Sequence, residues 1–160
     1  MRNAAHAAPV NRFADLPDAL QFMRLLWAVV HGLESASKRM AGTLGVTGPQ
    51  RLVIRVVGLF PGVSASDLAR VLHVHPSTLT GVLRRLIAQG LLRRDDDRRD
   101  RRRAVLRLTV RGRRIDGATE GTVEAAVVRT LEGVSLQDRT ATGRVLERLA
   151  ACLEDHPSLR

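Results

Sequence analysis

Residues 63–108 read VSASDLARVLHVHPSTLTGVLRRLIAQGLLRRDDDRRDRRRAVLRL, and this stretch decides the fold. Ser64 with Asp67 three residues on makes a variant capping box for a helix whose inward stripe is Leu68, Val71 and Leu72. His75-Pro76 opens a second helix, with proline at a first-turn position. Its apolar residues Leu79, Val82, Leu83 and Leu86 recur at i, i+3, i+4 and i+7. Gly90 stops it. Leu91–Arg94 is extended, Asp95–Arg103 is a polar loop, and Ala104, Leu106 and Leu108 alternate with Val105, Arg107 and Thr109 as in a half-buried strand. Two short helices and a charged two-stranded hairpin make a winged helix-turn-helix.

Outside this stretch the chain is helical. Leu16–Leu44 is a long segment, apolar nearly all round through Leu20, Met23, Leu25, Leu26, Trp27, Val29, Val30 and Leu33. A helix of that kind is covered on more than one side, here by a partner subunit. Gly45–Gly48 breaks it, and Gln50–Phe60 resumes before the Pro61-Gly62 turn. Downstream, Arg113–Leu131 reads as one helix, and Ser135 with Asp138 starts another, striped by Val145, Leu146, Leu149 and Leu153. The expected class is mainly α with a small β-hairpin wing. The expected division is a flexible segment 1–15, a helical dimerisation region 16–46 and 110–155, a DNA-binding lobe 47–109, and a tail 156–160.

Composition narrows the partners. The 160 residues carry a net charge of +10, and 26 are cationic, with Lys38 the single lysine. A chain this basic meets a polyanion, although an arginine bias of this kind can also reflect base composition. The basic residues are clustered: residues 93–103 hold seven arginines and four aspartates. A surface loop gains little from such crowding, whereas the negative minor groove of DNA accepts inserted arginines. On the helix after His75, Ser77, Thr80, Gly81, Arg84 and Ala88 lie roughly opposite the leucine stripe. Small residues there permit close approach to a major groove, and Arg84 can bond guanine in a bidentate manner. Arg85 is a second base reader or a phosphate contact. The candidate DNA contacts are therefore Ser64, Ser66, Ser77, Thr78, Thr80, Gly81, Arg84 and Arg85, with Arg98, Arg99, Arg101 and Arg102 on the hairpin.

Other chemistry has little support. One cysteine, Cys152, excludes an internal disulfide and a cysteine-based zinc site. His73 and His75 diverge in direction and have no third ligand near them, so no metal is expected. No phosphate loop, nucleophile elbow or His/carboxylate constellation points to an enzyme, and no cofactor is implied. Met1–Pro9 lacks a signal peptide's apolar core, and the longest apolar run, Leu25–Val30, falls far short of a membrane span. The expected setting is the cytoplasm, away from membranes. Met23, Trp27 and His31, four apart on one helix face, with Arg24 beside them, are the candidates for a ligand site; the same stripe also suits core or dimer contact.

The run Ser64–Arg94, followed by Asp95–Arg113, resembles the MarR family of winged-helix transcriptional regulators. "TGPQRLVI" from Thr47 is similar to that family's second-helix opening, and Asp100, Arg101 and Arg102 followed by Leu108, Thr109 and Gly112 match its wing pattern. The resemblance implies a homodimer joined by its first and last two helices. It implies a double-stranded DNA partner, with recognition helices in successive major grooves of a pseudo-palindrome and wings in the flanking minor grooves. It places a wing-shaping ion pair on Asp100 and Arg102 and the inserted tip arginine at Arg98 or Arg99. It further implies a repressor released by a small aromatic or phenolic effector. A non-sensing architectural DNA binder and a protein-interaction module remain the other readings.

Overall fold

The computed structural model describes residues 16–96 and 104–154. The expectations for 1–15, for Arg98, Arg99, Asp100, Arg101 and Arg102, and for 156–160 lie outside the described residues. The elements run α1 (Asp18–Leu44), α2 (Gly48–Leu59), β1 (Val63–Ser64), α3 (Ala65–Val71), α4 (Pro76–Ala88), β2 (Leu92–Asp96), β3 (Ala104–Leu108), α5 (Val110–Asp116), α6 (Val123–Glu132) and α7 (Leu136–Glu154).

Hydroxyl and amide caps set most of these boundaries, because the first amides of a helix have no partner within it. Thr47 and Gln50 form a reciprocal capping box at α2, and Pro49 sits in its first turn. The Ser64 hydroxyl accepts from the Asp67 amide at 3.1 Å and donates to its carboxylate at 2.7 Å. Ser135 and Asp138 repeat that arrangement before α7. Thr109 Oγ1 accepts from the Gly112 amide and donates to the Gly90 carbonyl, tying the start of α5 to the turn that follows α4.

The sheet is antiparallel with order β1-β3-β2, so β3 is central. Its inner face joins α2, α3 and α4 around one core that includes Val53, Ile54, Val57, Leu68, Leu79, Leu83, Leu86, Leu92, Leu106 and Leu108. The other helices bury almost nothing within the chain. Met40 is the buried residue of α1, and α6 and α7 have none.

Several expectations change. Asp95 and Asp96, expected in the polar loop, extend β2, and Ala104, expected on the inward side of its strand, is exposed. The wing sheet has three strands, because Val63–Ser64 pairs with Leu106 and Val105 before the chain turns into α3. The expected helix 113–131 is two helices, α5 and α6, separated at residues 117–122, where Thr122 caps the second through the Ala125 amide. Val71 is 54% exposed and does not belong to the inward stripe of α3. Val105, read as an outward residue of the strand, is buried, because β1 lies beside it.

Gly112 marks the tightest approach. A Cβ there would collide with the Leu91 carbonyl oxygen and touch Leu108 at 3.4 Å. Gly112→Ala is expected to lower unfolding free energy by about 1–3 kcal/mol, the usual cost of overpacking. Urea unfolding of the two proteins measures it, and equal midpoints would show that α5 can shift away from β2 at no cost.

Candidate nucleic-acid interface

The amphipathic reading of α4 holds in three dimensions. Leu79, Leu83 and Leu86 are buried, and Ser77, Thr78, Thr80, Arg84 and Arg85 are exposed. Leucines four and three residues apart occupy one side of the helix, so the polar residues between them face away from the core. Gly81 lies within the helix, and a Cβ there would meet nothing within 4 Å. The helix begins at His75, whose Nδ1 accepts from the Ser77 amide at 3.3 Å and lies 2.7 Å from the Ser77 hydroxyl. That contact requires a lone pair on Nδ1, hence a tautomer with its hydrogen on Nε2.

The candidate side chains differ in what they have left to offer. Thr80 donates its hydroxyl to the Pro76 carbonyl at 2.8 Å. Ser77 is engaged with His75. Thr78, Arg84 and Arg85 have no hydrogen-bond or ion-pair partner among the described residues, so their donors face solvent. Ser66 is exposed, with its hydroxyl 2.9 Å from that of Ser64. Ser64 itself is buried, and its hydroxyl is taken by the cap of α3 and the Asp67 carboxylate. It therefore shapes the helix-turn-helix rather than presenting a hydroxyl to a groove.

At the wing base, register puts Arg93 directly opposite Arg107. Like charges facing each other across a strand pair repel. Asp95 offsets this: its Oδ2 lies 3.2 Å from Arg93 Nη2 and 3.4 Å from Arg107 Nε. Exposed Arg94 lies opposite Leu106. The strands thus place Arg93, Arg94 and Arg107 at the wing base, with Asp95 and Asp96 between them and residues 97–103.

On α1, Met23, Arg24, Trp27 and His31 are exposed, Trp27 at 69%. They share a helix face within this chain and are not enclosed by its core. Among the described residues no three His, Cys, Asp or Glu side chains gather as a metal site. No described helix is long and apolar enough to cross a membrane. Sequence reading passed over a polar cluster, centred on the buried Arg51, between α2 and the α5–α6 break. There Arg51 meets Glu124 at 2.8 Å, and Arg55 meets Asp116 at 2.7 Å. No local pattern reveals it, since the partners lie 61 to 73 positions apart.

Residues 44–103 match the model of the MarR family. The HTH-type transcriptional repressor Rv2887 of Mycobacterium tuberculosis is 31% identical over 127 residues, covering 79% of this chain and 91% of that protein. Streptococcus pneumoniae FabT, solved in complex with DNA, is 26% identical with a TM-score of 0.64, covering 86% of this chain and 99% of that one. CouR from Rhodococcus jostii RHA1, solved bound to p-coumaroyl-CoA, is 25% identical with a TM-score of 0.68, covering 83% and 92%. Matching sequence, winged lobe and helical frame together place this chain in the MarR family of DNA-binding transcriptional regulators, which are not enzymes.

Proposed function

We propose that this regulator is a homodimeric repressor that occupies a pseudo-palindromic operator and leaves it when a small aromatic or phenolic ligand binds. One observation carries the dimer. Leu20, Leu25, Val29, Val30 and Leu33 on α1, Val127 and Val128 on α6, and Val145, Leu146 and Leu153 on α7 are each 44–58% exposed within the chain. Scattered exposed apolar residues are ordinary, but a concentration on three helices that bury so little marks an association surface. Covering the exposed half of each such side chain is worth about 1 kcal/mol, so a second copy covering them together explains why these helices persist. Residues 16–46 and 110–155 then form the dimerisation region and 47–109 the DNA-binding lobe.

In this reading α4 enters the major groove, with Arg84 on a base edge, Ser77, Thr78, Thr80 and Gly81 at the close approach, and Arg85 on a base or phosphate. Ser66 stands beside the DNA backbone. Arg98 or Arg99 reaches the minor groove, and Arg101 and Arg102 flank it, with Asp100 pairing Arg102 to shape the wing. Repression is supported by the name of the Mycobacterium relative. DNA as target is supported by the FabT complex, and an aromatic effector by the p-coumaroyl-CoA held in CouR. Met23, Arg24, Trp27 and His31 are the residues proposed to meet that effector, at the seam between the dimer helices and the lobe.

Sedimentation tests the dimer. The wild type is expected at twice the chain mass, and Val128→Glu is expected to weaken association by at least about a hundredfold, because it buries an unpaired charge. A wild type that sediments as a monomer at micromolar concentration contradicts the proposal. Base readout has its own test. Arg84→Ala should narrow the gap between selected and scrambled duplex by about tenfold, the loss of one bidentate base contact. Equal weakening on both duplexes would reassign Arg84 to phosphate.

A further inference from the structure

We infer that Arg51 is a positioning residue that fixes the angle between the winged lobe and the dimer helices, and thereby sets the half-site spacing the protein accepts. The inference rests on the homodimer proposed above. Its basis is the polar cluster where the chain leaves the lobe.

Arg51 is 3% exposed. Its Nε donates to Glu124 Oε1 at 2.8 Å. Nη1 donates to the Ile115 carbonyl, and Nη2 donates to the carbonyls of Asp116 at 3.1 Å and Ala118 at 2.6 Å. Those carbonyls belong to the end of α5 and the first residues after it, where a helix leaves acceptors to be satisfied from outside, although the Ile115 carbonyl also accepts from the Ala118 amide. Glu124 belongs to the first turn of α6. One guanidinium therefore grips both sides of the α5–α6 break.

Two further residues of α2 close on the same place. Arg55 Nη1 donates to the Asp116 carbonyl at 3.2 Å and its carboxylate at 2.7 Å, and Arg55 Nε lies 3.6 Å from Glu124 Oε1. Gly58 lets the Asp116 carboxylate approach: a Cβ at Gly58 would stand 2.7 Å from Asp116 Oδ2. Residues 51, 55 and 58 follow the i, i+4, i+7 spacing of one helix face. The other passage between helices and lobe, from α1 to α2, is pinned by the Ser37 hydroxyl accepting from the Gly48 amide at 2.8 Å. Both chain crossings are thus held by side chains, and the break in the second is held from α2.

The cluster does more than add stability. Glu124 Oε2 is buried with no hydrogen-bond partner among the described residues, so the carboxylate is anchored through Oε1, chiefly by Arg51. Without Arg51, the Glu124 carboxylate keeps only the longer Arg55 contact among the described residues. Lysine preserves the charge but not the planar fork that reaches four acceptors at once. In a dimer, a looser joint lets the two recognition helices separate or rotate. Adding one base pair between half-sites moves them by about 3.4 Å and turns them by about 35°. A rigid frame rejects that change, and a loosened one follows it.

The test uses full-length protein and a palindromic duplex selected by the wild type from a random pool. Versions with one base pair inserted or deleted at the centre accompany it, read by anisotropy, with sedimentation and thermal melting alongside. The wild type is expected to lose at least about thirtyfold in affinity on the altered spacings. Arg51→Lys should reduce that penalty below about fivefold while remaining a dimer, a change within the ordinary range of coupling between sites. Glu124→Gln, which leaves the carbonyl contacts of Arg51 in place, should reduce it partway and decides the matter if Arg51→Lys does not fold. Undiminished spacing penalties in the folded variants overturn the inference, as does a uniform loss on every duplex. A monomeric wild type overturns the dimer reading and this inference together; a wild-type dimer indifferent to spacing, or a strict one with equally strict variants, overturns this inference alone.

Discussion

The packing of Ile54, Leu68, Leu86 and Leu106 into one cluster is the constraint on which the rest of the molecule depends. These four side chains come from α2, α3, α4 and the central strand, and each is 1% exposed or less. Burying them fixes which side of α4 faces inward, and hence which side keeps Arg84 and Arg85 in solvent. It also fixes β3, and through the register Arg93↔Arg107 it fixes the cationic base of the wing. A reading head for DNA must be stiff, because a displaced donor loses its base edge. The lobe gains that stiffness from its own core and caps.

The helical frame follows the opposite rule. The exposed apolar residues of α1, α6 and α7 have no counterpart among the described residues to cover them. The lobe completes its core alone, whereas the frame needs another surface. In the proposed dimer that asymmetry has a use: a rigid reader is carried on helices whose association would set where the second reader stands. Arg51, buried at the joint, connects the two.

Much of this was legible in the sequence. The leucines of α4 and the caps at Ser64, His75 and Ser135 are local patterns with local causes, and they led to the right helices. The apolar circumference of α1 foretold a surface left uncovered by the other described residues. β1 was not legible, since two residues carry no periodicity and Ser64 reads first as a cap. The break between α5 and α6 was obscured because Ile115, Ala118, Val127 and Val128 suit one helix; the available clue was Gly117 and Gly121 ahead of Thr122, a cap with glycine before it. Arg51 and its partners lie 64 to 73 positions apart, so no window of sequence could pair them. The hydroxyl of Ser64 illustrates the same limit, since only packing shows that it is already engaged.

The most direct test of the account is fluorescence anisotropy with duplex from upstream of the protein's own gene, set against scrambled duplex over a salt series. If each subunit neutralises about four phosphates, log affinity should fall against log salt with a slope of roughly −7. The upstream duplex should be preferred by about a hundredfold or more at moderate salt. Equal, salt-steep affinity for both duplexes would contradict sequence-specific regulation at that promoter and favour an architectural role, and a slope near zero would remove the electrostatic basis of the account.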